Sequence, residues 1–148
     1  MLCGGVELLR VSKAMWVGLW LAQVCWCNDP EATMANAKAV SVADRIRLVT
    51  ADARQLPFAD GSMEVIVSSL AIHNIDGKDE RTKALSEIAR VLKPGGHVAI
   101  LDIFHTADYA KELERLGLSE VKLSALNLLW CLPTRWLVAR KPHVSAIQ

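Results

Sequence analysis

Apolar positions along this chain fall into two alternating rhythms. Val65-Ile66-Val67 is a short continuous apolar run, the pattern of a strand buried on both faces. Ile46, Leu48 and Val49 predict another strand over Arg45 to Thr50, which stops at Thr50-Ala51-Asp52, and His97 to Ile103 predicts a third. Between the last two runs the period changes. From Lys78 to Leu92, residues Leu85, Ile88, Ala89 and Leu92 recur at helical spacing on one face. Pro94-Gly95-Gly96 is expected to end that helix and turn the chain. An earlier helix starts at Asn28-Asp29-Pro30-Glu31, with Asp29 as cap, Pro30 in the first turn and Glu31 at the positive end of the dipole. It runs to about Val40, and its alanines permit close packing on a sheet. A later helix is capped by Thr106, gathers Tyr109, Leu113 and Leu116 on one face and closes at Gly117. Val121 to Trp130 and Arg135 to Arg140 read as two strands joined near Pro133, an antiparallel pair at a sheet edge. Strands alternating with helices predict an α/β fold with a mostly parallel sheet.

The first 28 residues break the rhythm. Glu7 to Lys13 reads as a short helix and Met15 to Leu21 as a buried strand. Ala14 to Cys27 holds no charge, and Trp16, Trp20 and Trp26 are three of the chain's five tryptophans. Arg10 and Lys13 precede this run as basic residues precede a signal sequence. A bilayer span needs about 20 residues, so membrane contact by residues 14–27 is disfavoured and an internal strand preferred.

Composition narrows the class. The 148 residues suffice for one domain, with 1–28 divergent and 29–142 the regular core. A net charge of +1 gives no reason to expect a nucleic-acid partner, and none is expected. Cys3, Cys25, Cys27 and Cys131 form neither a zinc spacing nor a disulfide framework. Free thiols point to a cytoplasmic protein. His97, His105 and His143 have no carboxylate or cysteine at a ligating spacing, so no metal site is expected.

Candidate chemistry gathers where strands end. Parallel sheets bind ligands beyond the carboxyl ends of their strands. Asp52 ends one strand, Ser68-Ser69-Leu70 ends the next, and an acid beside small residues suits a nucleoside. The run Asp52-Ala53-Arg54-Gln55-Leu56-Pro57-Phe58, then Asp60, then Val65 to Ser69, then Leu92-Lys93-Pro94-Gly95-Gly96, resembles class I S-adenosylmethionine-dependent methyltransferases of the small-molecule type. The resemblance covers Pro30 to Pro142.

That resemblance implies a Rossmann-like fold, S-adenosyl-L-methionine as cofactor and a small-molecule methyl acceptor. By it, the Asp52 carboxylate accepts from the adenine amino group and the Ala53 N–H meets the ring. Ser68, Ser69 and Leu70 lie beneath the methionine part. From its position Phe58 either walls the adenine pocket or packs as a plain core phenylalanine. The alternative for Asp52 is a turn-capping aspartate, and for the serines a plain strand end. His73, one turn further, orients substrate or acts as base; the alternative is a histidine packed in a loop. Asp102 is read as ending the buried part of its strand. No catalytic residue is assigned, because an in-line methyl displacement asks the protein chiefly for binding and alignment.

Before Pro30 the pattern departs from the family. The family's opening strand and Gly-x-Gly-x-Gly loop have only Cys3-Gly4-Gly5 as a counterpart, with Gly4 and Gly5 as its candidate cofactor residues. The acid that holds the ribose hydroxyls has no counterpart in Val17 to Leu21. A truncated or frame-disturbed product would have this form, with the first strand missing. Two consequences follow for the sheet. Either Val65 to Val67 presents an unpaired edge through which chains associate, or Met15 to Leu21 fills the slot beside it. The functional alternative is a catalytically silent relic or a non-enzymatic partner module. A nicotinamide-dependent dehydrogenase is disfavoured, since no Gly-x-Gly-x-x-Gly follows a strand.

Overall fold

The computed structural model describes residues 5–11, 16–20, 30–129 and 132–143; for 5–11, 16–20, 129 and 132 it describes the backbone alone. In order come β1 (Gly5–Val11), β2 (Trp16–Trp20), α1 (Pro30–Ala39), β3 (Ile46–Asp52), β4 (Met63–Ser69) and α2 (Lys78–Val91). Then follow β5 (Leu92–Asp102), α3 (Thr106–Arg115), β6 (Ser119–Leu123), β7 (Asn127–Leu129) and β8 (Leu132–Arg140). The strands form one sheet in the order β3-β1-β2-β4-β5-β8-β6, with β7 paired to β8.

Met15 to Leu21 does fill the slot beside Val65 to Val67. β2 runs parallel to β4, with Trp16 opposite Val65 and Gly18 opposite Val67. β4 is therefore paired on both edges, with β5 parallel on its other side. The short helix expected over Glu7 to Lys13 is instead strand β1. It pairs antiparallel with β3 along its whole length and with β2 from Glu7 to Val11. Hydrogen bonding on two edges outweighs the local helical spacing of its leucines. The expected cap at Asp29 lies outside the described residues.

Alternation along the central strands divides the sheet into two unequal faces. Ile66, Ser68, Val98, Ile100, Asp102, Leu137 and Ala139 are buried. Helices α2 and α3 cover this side and touch one another. α2 contributes Ala84, Leu85, Ile88, Ala89 and Val91 to the core, the stripe its sequence period demands. On the other face Val65, Val67 and Ala99 are half-buried, while Trp136 and Val138 are exposed.

Three details of the sequence reading change. Helix α2 ends at Val91 and passes into extended backbone at Leu92, so Pro94-Gly95-Gly96 does not end the helix itself. It bends the chain within β5, where the pairing jumps from Met63–Leu92 to Val65–His97 and Gly95 takes a φ of +81°. A Cβ at Gly96 would meet the Glu64 and Lys93 carbonyl oxygens at 2.9 Å each, which requires glycine there. Thr106 does not cap α3. It is a buried residue of the first turn, and the cap position belongs to His105 in a left-handed conformation. Pro133 lies inside β8, and the segment read as Val121 to Trp130 is broken at Ser124–Leu126 into β6 and β7. Gly117 closes α3 as expected. Its φ is +85°, the Leu118 N–H donates to the Leu113 carbonyl and the Gly117 N–H to that of Glu114.

Candidate active site

Strands β2, β3, β4 and β5 all point the same way, so Trp20, Asp52, Ser69 and Asp102 end at one sheet edge. The antiparallel course of β1 brings its first residue to that edge too, with Gly5 directly opposite Asp52. Gly4 lies outside the described residues.

The Asp52 carboxylate is engaged by Arg54. Oδ1 accepts from the Arg54 backbone N–H at 2.8 Å and from Nε at 2.9 Å; Oδ2 accepts from Nη2 at 2.6 Å and from Nε at 3.0 Å. Arg54 Nη1 donates to Glu80 on α2 at 2.7 Å, and Lys83 also donates to Glu80. These bonds hold the Asp52 carboxyl below the usual carboxylate range, chiefly through the Arg54 side chain and against partial burial. Ala53 is buried beneath this ion pair.

The Leu56 to Asp60 loop is clamped to α2. Arg90 donates to the carbonyls of Leu56 (3.0 Å) and Phe58 (2.9 Å) and to Asp60 (2.6 Å). Glu87 accepts the Leu56 N–H at 2.8 Å and braces Arg90. Phe58 is half-buried against the core. The motif following Asp52 thus has a physical role: its backbone polar groups are satisfied by one Glu–Arg pair from the neighbouring helix.

At the end of β4, Ser68 is fully buried and its Oγ has no hydrogen-bond partner among the described residues. Ser69 is half-buried. Leu70 takes a left-handed φ of 50°, rare for a branched side chain, held by its N–H to the Leu101 carbonyl (2.8 Å) and by Asn74 Nδ2 to its own carbonyl (3.1 Å). This turn carries the chain into a single 3₁₀ turn, Ile72–Asn74.

His73 in that turn meets Asp102. Its Nδ1 is hydrogen-bonded to Oδ1, and its backbone N–H donates to Oδ2 at 3.1 Å. Oδ1 also accepts the Ile103 N–H at 2.9 Å. The His73 side chain is 8% exposed and that of Asp102 is not exposed. Burial pushes the Asp102 carboxyl up, opposed by His73 and the two backbone donors. Among the described residues no hydrogen bond reaches His73 Nε2. An aromatic row continues outward: His73 meets Phe104 edge-on at 6.2 Å, Phe104 meets His105, and His105 meets Tyr109. Phe104 is 56% exposed, while Tyr109 is buried, its hydroxyl has no hydrogen-bond partner among the described residues, and burial raises its pKa.

The structure therefore brings Gly5, Asp52, Ser68, Ser69, Leu70 and His73 to one edge. Sequence reasoning missed Asp102 as the partner of His73, and Arg54 as the partner of Asp52. The signal for the first was available: both residues lie where neighbouring parallel strands end.

A family model described as a methyltransferase domain matches residues 3–100. The chain belongs to the class I S-adenosylmethionine-dependent methyltransferase family. The match begins at residue 3, so the family likeness extends over the β1–β2 hairpin and is not confined to the chain after Pro30. Sterol 4-C-methyltransferase strm-1 of Caenorhabditis elegans is 36% identical over 84 residues, 55% of this chain and 24% of that protein. Ubiquinone/menaquinone biosynthesis C-methyltransferase UbiE of Klebsiella pneumoniae subsp. pneumoniae is 35% identical over 107 residues, 68% of this chain and 40% of that protein. The chain thus spans between a quarter and two-fifths of the length of these relatives.

Among solved structures, a SAM-dependent methyltransferase from Thermotoga maritima superposes with a TM-score of 0.55 at 16% identity, covering 70% of this chain and 69% of that one. The (4+2)-cyclase SpnF superposes at 0.64 and 16% identity, covering 76% of this chain and 62% of its own. A cyclase on this architecture is a reminder that fold alone does not fix the reaction. Among the described residues there is no group of three or more potential metal ligands, and no helix is long and apolar enough to cross a membrane.

Proposed function

We propose that this domain binds S-adenosylmethionine across the edge where β2 to β5 end and directs its methyl group to a small molecule. One observation carries the reading. Asp52 and the Ser69–His73 turn lie at the same sheet edge on either side of the β1–β2 hairpin, with Gly5 beside Asp52. Adenine would meet Asp52 and the Ala53 N–H. The methionine part would lie over Ser68, Ser69 and Leu70, and the acceptor near His73. Half-buried Ser69 at the strand end supports the fit, since a ligand can reach it, whereas the Ser68 side chain is wholly buried. The cofactor brings the activated methyl group; the chain aligns it.

The relatives' names support a small organic acceptor, and the cysteine pattern supports a cytoplasmic setting. A second reading, a domain that no longer transfers methyl groups, is favoured by one feature: both Asp52 oxygens are already held by Arg54.

Titration calorimetry with S-adenosylhomocysteine tests both. We expect weak saturable binding, with a dissociation constant above about a micromolar, because the family's ribose acid has no counterpart here. Asp52→Ala should abolish that binding without a large fall in melting temperature by circular dichroism. If S-adenosylhomocysteine does not bind at all, the methyltransferase reading of this chain fails. A large melting loss with binding unchanged would make Asp52 a turn cap.

A further inference from the structure

The hydrogen-bonded pair of His73 and Asp102 has a direction to it. Asp102 accepts backbone N–H groups from both His73 and Ile103. Those two backbone donors favour the ionised carboxylate, against the burial that pushes its pKa up. With the carboxylate ionised, the third contact has imidazole Nδ1 donating its proton to Oδ1, and Nε2 is left with a bare lone pair. The backbone N–H and the ring of one histidine are fixed by the same side chain, which sets the plane of the imidazole as well as its tautomer. A histidine merely packed in a loop requires none of this. Nε2 lacks a partner among the described residues, the His73 side chain is 8% exposed, and exposed Phe104 stands edge-on beside it.

Resting on the function proposed above, the geometry points to His73 as the group that takes the proton from the methyl acceptor, with Asp102 as its positioning residue. The acceptor class follows: an O–H, N–H or activated C–H group that is protonated at neutral pH and must shed its proton as the new bond forms. The balance is simple. The acceptor atom uses its electron pair to bond the methyl carbon, the carbon–sulfur pair stays with sulfur, and the acceptor's proton passes to His73 Nε2 and then to solvent. An acceptor that is already ionised would need no such base.

Other charged and titratable groups face this pair. Asp108, Tyr109 and His105 belong to α3 and its cap. Arg81 of α2 donates to the Ile75 carbonyl at 2.8 Å, two residues past His73. Only Asp102 makes a hydrogen bond to the imidazole among the described residues.

Long-range proton–nitrogen NMR on the whole chain, labelled at histidine nitrogen, tests the proposal between pH 5 and 9, with and without S-adenosylhomocysteine. At pH 8 the wild type should show His73 with Nδ1 protonated and Nε2 bare, the reverse of the preference of free imidazole. S-adenosylhomocysteine should shift His73 Nε2 more than the nitrogens of His97 or His143. Asp102→Asn should remove the tautomer preference while leaving S-adenosylhomocysteine affinity within about twofold. His73→Gln should bind S-adenosylhomocysteine equally well and remove the assigned resonance. A His73 with Nε2 protonated at pH 8, or one that stays doubly protonated throughout, would overturn the assignment. So would tight S-adenosylhomocysteine binding that leaves the His73 nitrogens unmoved. Failure to bind S-adenosylhomocysteine at all would overturn the functional reading beneath it, and that outcome is distinct from the tautomer result.

Discussion

At the scale of single residues, the decisive fact is what already occupies the candidate ligands. Asp52 is legible in the sequence because it ends an apolar run and precedes Leu-Pro-Phe. Its occupation by Arg54 is not legible, since an Asp-x-Arg spacing specifies no geometry until the turn after the strand is known. Adenine would have to displace part of that ion pair. The Arg54 side chain is about a third exposed and that of Asp52 somewhat more, so water screens the pair and makes it a weak competitor and not a lock. Arg54→Ala should tighten S-adenosylhomocysteine binding by about two- to fivefold, read by calorimetry. Asp52→Asn should weaken it. Equal weakening by both substitutions would mean that Arg54 holds Asp52 in its binding posture. The His73–Asp102 pair was hidden for a different reason. Its members are 29 positions apart, and only the adjacency of β4 and β5 joins them.

At the scale of elements, a helix that satisfies a loop explains more of the motif than the loop does itself. Arg90 and Glu87 sit on the polar flank of α2, which helical periodicity identifies as solvent-facing. The structure instead turns that flank onto the backbone of Leu56, Phe58 and Asp60. Arg90→Ala leaves the Leu56 and Phe58 carbonyls without that donor and the Glu87 carboxylate with the Leu56 N–H alone. About 1–3 kcal/mol of stability should be lost, after allowing for an arginine that is about a third exposed. Denaturant unfolding would measure it, and a loss below about 0.5 kcal/mol would show that water replaces the clamp.

The same pair predicts a pH effect. Hydrogen bonds from Arg90, with the Leu56 N–H, hold the Glu87 carboxyl below its ordinary range of roughly 4.3. The folded state therefore binds a proton less readily than the unfolded chain. Glu87's contribution is complete above about pH 4.3 and is lost as pH falls through its lower folded value. Glu87→Gln should flatten the acid limb of a melting-temperature profile below about pH 4.3 and lower the plateau above it. Elements themselves were legible where one period dominated: β4 by its apolar run, α2 by its stripe. β1 was misread because Glu7 to Lys13 satisfies helical spacing locally, and only pairing with β2 and β3 makes it a strand.

At the scale of the whole molecule, the two faces of the sheet are treated unequally, and this governs how the domain should behave in solution. One face is sealed by α2 and α3 around Ile66, Ile100, Leu113 and Leu137. On the other, registered pairing sets Val67 beside Ala99, Ala99 beside Val138 and Leu101 beside Trp136, with Trp136 49% and Val138 40% exposed. Contiguous apolar surface of this kind drives association. The sheet's outer strands among the described residues, β3 and β6, add edges that no described strand pairs. The β4 edge does not contribute, because β2 covers it. Association should therefore run through the face, and a polar substitution there should oppose it at little cost to folding, since the replaced side chains are already half in water. We expect the wild-type chain to enhance the fluorescence of an apolar dye and to elute in size-exclusion chromatography with a concentration-dependent mass. Trp136→Ser with Val138→Lys should reduce both effects and change the melting temperature by no more than a few degrees. A wild type that remains monomeric and dye-silent at high concentration would show that the rest of the chain covers this face, and the exposed valine and tryptophan would then cost the domain nothing.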